Sequence, residues 1–418
     1  MRSLLRIEAK NYGCLDQVAV DLAPLSVLVG PNGSGKSTLL DVIQFLGDAA
    51  RDDLGPAVDR RGGFDALHFR GRKGLRRIEL RVEALVTSYA SESAPDAYTL
   101  GINKLRRRRG RSQTSLGRMA MNNRELLRRT ETFSFKRRSG PGRRLTIEGS
   151  EITVAAVSEK TRKEQKKLES RELFQEESLA LSTLPRLAFK DGGEQVAQVA
   201  DLFKSFRVFD VNVQAARRPV PTGPAEAPIV LAHDASNLSE FLYYLSQDRE
   251  LFARLSEDAR AMIPGLHEIH FRQVGGAQEA VVIELEEHPL PGRTPLAAAS
   301  FGTIRALSML ALLYDPAPPM LTCVEEIDHG FHPHLFDRLV ELLRRATART
   351  QLIIATHSPA LVNRLRPDEL IVCERDLETG GVRIPAITSE EVEEMIAATE
   401  GALGPGELWF SGSLGGVP

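Results

Sequence analysis

Nine residues, Gly30-Pro-Asn-Gly-Ser-Gly-Lys-Ser-Thr38, constrain this chain more than any other stretch. They fit the pattern G-x-x-x-x-G-K-[ST] at each fixed position: Gly30, Gly35, Lys36 and Ser37. Such a loop works only between a strand and a helix. Leu25-Ser-Val-Leu-Val29 is apolar enough for a buried strand, and Thr38 to Leu46 carries helical spacing. Gly30, Pro31, Asn32, Gly33, Ser34 and Gly35 form a loop whose backbone N–H groups can turn inward around a phosphate. The helix start at Ser37-Thr38 adds its dipole. Lys36 can reach the β- and γ-phosphates and Ser37 can hold Mg²⁺. The expectation is an α/β, P-loop fold that binds a nucleoside triphosphate.

A P-loop enzyme also needs acids at the end of a neighbouring strand. Met320-Leu-Thr-Cys-Val324 reads as a buried strand, with Glu325-Glu326 at its carboxyl end. Glu325 is assigned to the magnesium shell and Glu326 to the general base that polarises the attacking water. Leu352-Ile-Ile-Ala-Thr356 reads as another buried strand and ends in His357-Ser358-Pro359. A histidine there can hydrogen-bond the γ-phosphate or the water. Upstream, Ser300-Phe301-Gly302-Thr303 precedes a helix from Ile304 to Leu313. On this motif alone, an anion site and an ordinary capped helix are both open readings.

The net charge of −2 hides an asymmetry. From Lys104 to Arg144 there are fifteen Lys/Arg against two acids, a net +13, which leaves −15 on the rest. Arg106, Arg107, Arg108 and Arg109 are the densest run, and Arg137-Arg138 lies beside Phe133 and Phe135. Phosphate contact with base stacking is one reading of this basic arm; a solvated insertion without a core is the other. The three cysteines, Cys14, Cys323 and Cys373, are far apart and suit a reducing compartment. No apolar run reaches the roughly 18–20 residues of a membrane span, and no leader pattern opens the chain, so a cytoplasmic protein is expected. His329, His332 and His334 lie near Glu325 and Glu326, but their spacing matches no zinc pattern.

Along the chain, residues 4–10, 15–22 and 76–86 read as strands and 47–73 as loop. Residues 87–145 lose periodicity, and 158–178 read as helical. Residues 237–262 read as amphipathic helix, and 267–274 with 280–287 as a hairpin around Gly275-Gly276. The last part returns to alternating strands and helices. Three segments follow: 1–86 with the P-loop, a basic and helical insertion over 87–205, and 206–418 with the second set of motifs.

The order of motifs resembles the ABC-type ATPase heads of the RecF, structural-maintenance-of-chromosomes and OLD-like group, and most of all its short bacterial members without a long coiled coil. The P-loop, Ser300-Phe-Gly302-Thr, Glu325-Glu326, Phe331-His332-Pro333 and Thr356-His357-Ser-Pro carry the resemblance. Ile7-Glu-Ala-Lys-Asn11-Tyr12, the run from Asp368 and Gly406-Glu-Leu-Trp409 extend it over about 1–85 and 206–418. The resemblance implies ATP and Mg²⁺ as ligands and a head-to-head homodimer with each ATP sandwiched between two chains. Ser300 and Gly302 would then act in trans on the γ-phosphate. Ile327-Asp328-His329 would join the two sites, and His357 would be the switch histidine, with Lys36 and Glu326 completing the catalytic set. Three departures stand out: Ser-Phe-Gly-Thr replaces Ser-Gly-Gly-Gln, Ile327 replaces a proline, and no clear Q-loop glutamine exists, Gln44 lying too early and His68 matching only in position.

The resemblance also suggests an ATPase that acts on DNA or controls a separate effector such as a nuclease, in antiphage defence or DNA repair. The 61 residues after His357 contain no Asp-x-Asp, so no nuclease domain is expected within them. A nucleotide-dependent switch or scaffold for a protein partner is the alternative. A membrane-transporter subunit fits poorly, because 289 positions separate Lys36 from Glu325.

Overall fold

The computed structural model describes residues 3–71, 77–105, 127–137, 142–149, 151–157, 170–172, 178–183, 193–220, 229–275 and 279–415. Two large sheets organise them. The first is antiparallel and has eight strands: β1 (Ser3–Tyr12), β2 (Leu15–Asp21), β4 (Arg77–Leu85), β5 (Asp96–Lys104), β6 (Leu127–Phe135), β7 (Gly142–Glu148), β8 (Glu151–Val157) and β9 (Ser170–Glu172). Their order is β2-β1-β4-β5-β6-β7-β8-β9, a meander beyond β1. The second sheet is parallel, with β3 (Leu25–Val29), β10 (Arg207–Phe209), β14 (Leu321–Val324), β15 (Gln351–Thr356) and β16 (Leu370–Val372) in the order β10-β14-β15-β3-β16. A three-stranded sheet joins β11 (Leu266–Gly275), β12 (Glu279–Glu287) and β13 (Arg293–Pro295). β17 (Glu374–Arg375) and β18 (Val382–Arg383) form a small ribbon.

The parallel strands are short apolar runs because both their faces are covered. Leu28, Leu321, Cys323, Ile353, Ala355 and Ile371 face one core, shared with the antiparallel sheet and the helix Lys36–Asp52. Leu25, Val27, Val29, Val324, Leu352, Ile354, Leu370 and Val372 face a second core, covered by the helices Phe301–Leu313 and Phe336–Ala346. The strand period of two thus divides each strand between two cores.

Gln351 ties the sheets together. Its amide accepts from Leu4 N at 2.8 Å and donates to Leu4 O at 2.8 Å and Ala23 O at 3.0 Å. This side chain stands in for a missing strand partner where β1 passes the base of β15.

The structure departs from the sequence expectation in several segments. The P-loop helix continues to Asp52, and the short helices Leu54–Asp59 and Phe64–Leu67 occupy much of the expected loop. The described parts of 87–145 are not aperiodic: β5, β6 and β7 extend the antiparallel sheet. Of 158–178, where a helix is expected, the described residues 170–172 are strand. The segment 237–262 is two helices, Leu238–Leu245 and Arg249–Met262, because Asp248 caps the second by accepting from Glu250 N and Leu251 N. The expected hairpin over 267–287 is present as β11 and β12. Among the described residues, no helix is long and apolar enough to cross a membrane.

Candidate nucleotide site

All five parallel strands end on the same edge, so the loops that follow them converge there. β3 leads into the P-loop. Gly35 is the N-cap of the helix Lys36–Asp52 at φ 94°, a left-handed conformation that favours glycine. Pro31 is half-buried and Asn32, Gly33 and Ser37 are exposed, while Ser34 and Lys36 are buried. The Lys36 ammonium donates to Gly30 O at 2.7 Å, Pro31 O at 2.9 Å and Ser34 Oγ at 3.3 Å. Its three protons are therefore shared among acceptors of its own loop. Burial lowers its pKa, against the raising effect of Glu325 and Glu326.

β14 delivers Glu325 to the helix start. Ser37 Oγ donates to Glu325 Oε2 at 3.2 Å, which brings together the two residues assigned to magnesium across 288 positions of sequence. Burial raises the Glu325 pKa; the Ser37 hydrogen bond opposes this, while Asp210, Glu326 and Asp41 reinforce it. A hydroxyl and a carboxylate ringed by acids suit a hard divalent cation, which would reverse that proton preference.

Glu326 follows at φ 48°, left-handed for a non-glycine residue. Arg305 Nη2, from the helix Phe301–Leu313, donates to the Glu326 carbonyl at 2.7 Å. The Glu326 side chain is largely exposed, and its Oε2 lies 3.4 Å from His329 Nδ1. The backbone is thus held while the carboxylate faces outward.

His357 follows β15. Burial lowers its pKa first and Lys36 second, so the imidazole stays neutral at pH 7, and it is hydrogen-bonded to the Gly30 backbone. Thr356 Oγ1 donates to Asp328 Oδ1 at 2.5 Å and accepts from Ser358 N at 3.0 Å. This hydroxyl ties the loop after β14 to the loop after β15.

Ser300 caps its own helix, accepting from Thr303 N at 3.1 Å. A Cβ on Gly302 would lie 2.7 Å from the Gly330 carbonyl oxygen, so glycine is what allows the helix start to meet the loop after Glu326. The Phe301 ring, 41% exposed, lies 5.0 Å from the His329 ring. Ser300 and Gly302 therefore sit at an open face beside Glu326, and the Ser300 hydroxyl is hydrogen-bonded within its own helix start. Thr38 Oγ1 accepts from Cys14 Sγ at 3.2 Å.

Sequence reasoning missed Asp41, Asp210 and Arg305. Asp41 accepts from Tyr12 Oη at 2.6 Å and Arg61 Nε at 2.8 Å. Asp210 follows the three-residue strand β10, too short to stand out as a strand. Arg305 is 4% exposed inside an apolar helix, and that exception was the available signal. Among the described residues, no cluster of three metal-ligand side chains forms at His329, His332 and His334; His332 and His334 meet as a pair, Nδ1 to Nδ1, at 2.6 Å. His68, which matches a Q-loop residue only in position, stacks on Phe64 at 5.5 Å.

Arg106, Arg107, Arg108, Arg109 and Arg138 lie outside the described residues. Arg137 is described, with its guanidinium 4.6 Å from the Tyr89 ring centroid. Other basic residues of the same block have acidic partners: Lys104 with Asp65 at 2.6 Å, Arg128 with Glu148 at 3.5 Å, and the fully buried Arg129 with Glu131 at 3.3 Å. Part of the positive block is therefore neutralised across the sheet.

The curated "OLD nuclease" of Thermus scotoductus is 48% identical over 46 residues, 11% of this chain and 9% of that protein. The chain thus spans only a small part of that relative. Among solved structures, an Smc head domain with an extended coiled coil, bound to the C-terminal domain of ScpA and derived from Pyrococcus furiosus, aligns with TM-score 0.48 and 12% identity over 96% of this chain and 100% of the other. The SMC head domain from Thermotoga maritima aligns with TM-score 0.38 and 15% identity over 92% of this chain and 99% of the other. Residues 25–363, from the P-loop strand past the histidine after β15, match the family model described as "AAA domain, putative AbiEii toxin, Type IV TA system", and the chain belongs to that family.

Proposed function

We propose that this chain binds Mg²⁺-ATP at its P-loop, hydrolyses it, and closes head-to-head with a second copy as it does so. The observation that carries the reading is the Ser37–Glu325 hydrogen bond at 3.2 Å, because it supplies both expected magnesium ligands at one helix start. Lys36 moves from its loop carbonyls to the phosphates. Glu326 orients and deprotonates the attacking water, and neutral His357 hydrogen-bonds the γ-phosphate or that water. Ser300 and Gly302, on an open face, meet the nucleotide of the second copy. Segments 1–86 and 206–418 are the two parts of this head, with 87–205 inserted between them.

The downstream action we propose is on DNA or on a DNA-directed effector such as a separate nuclease; the short match to an OLD nuclease supports it. The switch or scaffold reading has its own support in the paired Lys104, Arg128 and Arg129, which have less charge to offer phosphates. ATP turnover measured with and without double-stranded DNA, at low and moderate salt, separates the two. DNA stimulation that salt reverses supports the first. Turnover indifferent to DNA moves the search to a protein partner, and no turnover at all removes the hydrolase reading.

A further inference from the structure

The three-stranded sheet carries a chemistry the nucleotide site does not use. Its inner face is apolar, with Ile269, Val281, Ile283 and Leu285 buried. Its other face is lined by Glu268 and His270 on β11 and by Glu284 and Glu286 on β12, in the pairs Glu268↔Glu286 and His270↔Glu284. The next pair is Leu266↔Glu287, so His267 is one residue more than a regular ladder would hold. Such a bulge re-aims its side chain. His288 follows β12, its backbone N–H donating to Gly265 O at 2.8 Å.

The result is a compact mixed cluster. One ligand atom each from His267, Glu286 and His288 lies within 4.8 Å of the others, and the same holds for Glu268, His270 and Glu286. The His267 and His288 rings are 4.7 Å apart. His270 Nε2 is hydrogen-bonded to Glu286 Oε2 at 2.9 Å.

We propose that His267, Glu286 and His288 bind one divalent transition-metal ion, Zn²⁺ by ligand type. Two imidazoles and a carboxylate suit zinc, whereas an all-oxygen set would suit Mg²⁺ or Ca²⁺. Ligands about 2.1 Å from a tetrahedral ion lie about 3.4 Å from one another, so small side-chain rotations close the site. His267 and His288 are exposed, which gives the ion an entry path and leaves its fourth position to water. A carboxylate has two oxygens, so the bond to His270 leaves Glu286 able to ligate. His270 is a positioning residue that orients Glu286 from behind. The competing account of the same geometry is a hydrogen-bonded His–Glu ladder on a wet sheet face.

The test is calorimetric titration of Zn²⁺ into the full chain with Mg²⁺ in excess, repeated with Co²⁺ to read ligand-field absorption. One ion per chain is expected, lost in His267→Ala/His288→Ala. Glu286→Gln, which keeps the shape, weakens binding at least tenfold, and His270→Ala weakens it about 10–100-fold. His332→Ala/His334→Ala, a histidine pair elsewhere, leaves it unchanged. Circular dichroism of the metal-free variants checks folding. Wild-type binding weaker than about 1 mM overturns the proposal. So does a less than tenfold difference between wild type and either the double variant or Glu286→Gln.

Discussion

Glu326 combines a fixed backbone with a free side chain: φ is 48°, its carbonyl is held by Arg305, and its carboxylate faces solvent. Under the proposed reading, a base placed this way is ready for a water that arrives with the nucleotide. Glu326→Gln preserves size and the Arg305 contact but cannot take a proton. ATP turnover is expected to fall by about 10²–10⁴-fold while ATP binding is retained, measured by phosphate release and by nucleotide titration. At this scale the sequence was informative where chemistry imposes fixed spacing. Lys36 and Ser37 stand out by motif, and Glu325, Glu326 and His357 by position after apolar runs. Asp41, Asp210 and Arg305 were hidden because they reach the site through helix register and strand order, which no local pattern encodes.

β6 explains why elements escaped the same reading. Its inward positions are Leu127, Arg129, Glu131, Phe133 and Phe135. Two of these five are charged and satisfy each other inside, with Tyr98 Oη donating to Glu131 at 3.0 Å and Ala180 N at 2.8 Å. The strand alternates in space but not in polarity, so its period vanishes from the letters. Elsewhere strands were legible because apolar residues alone fill the inward positions, as in β4 with Ile78, Leu80, Val82 and Ala84.

Polar side chains also join elements, and their loss should be measurable. Gln351→Leu leaves Leu4 N and Leu4 O without their Gln351 partner at the seam between the sheets, while Ala23 O keeps the Ser26 hydroxyl at 3.3 Å. Chemical denaturation is expected to show a loss of about 2–6 kcal/mol, since each of the two orphaned groups costs about 1–3 kcal/mol. Asp258, 2% exposed, accepts from Tyr314 and is paired with Arg338 and Arg345, joining three helical segments. Burial opposes its ionisation, but hydrogen bonds from Tyr314, Arg338 and Arg345 outweigh it and lower its pKa from the ordinary aspartate value. Its contribution is therefore full above the ordinary Asp range and is lost as pH falls through the lowered folded value. Asp258→Asn should cost about 3–5 kcal/mol near neutral pH, by the same denaturation assay, and flatten the acid limb of stability.

At the scale of the whole molecule, the proposed closure predicts a change in assembly. With Mg²⁺-ATP, Glu326→Gln should run at twice the mass of one chain in light-scattering chromatography, and Lys36→Ala should not. A single mass in all conditions would remove the head-to-head part of the reading. The fold class was accessible from sequence because the parallel strands and their loops carry the motifs. The extent of the antiparallel sheet was not, because its outer strands pair with one another and never return to the site.

That sheet order has a mechanical consequence. β1 is fastened to the parallel sheet by Gln351, and six further strands run outward from it to β9. At about 4.8 Å per strand the outer edge stands about 29 Å from the fastening. A tilt of about 10° at the Gln351 seam would then carry β9 through about 5 Å, the height of one strand. The meander is a long arm whose pivot, Gln351, stands at the start of β15, the end opposite His357, so a small tilt at the base of the parallel sheet is read out far from it as a displacement large enough to make or break a contact.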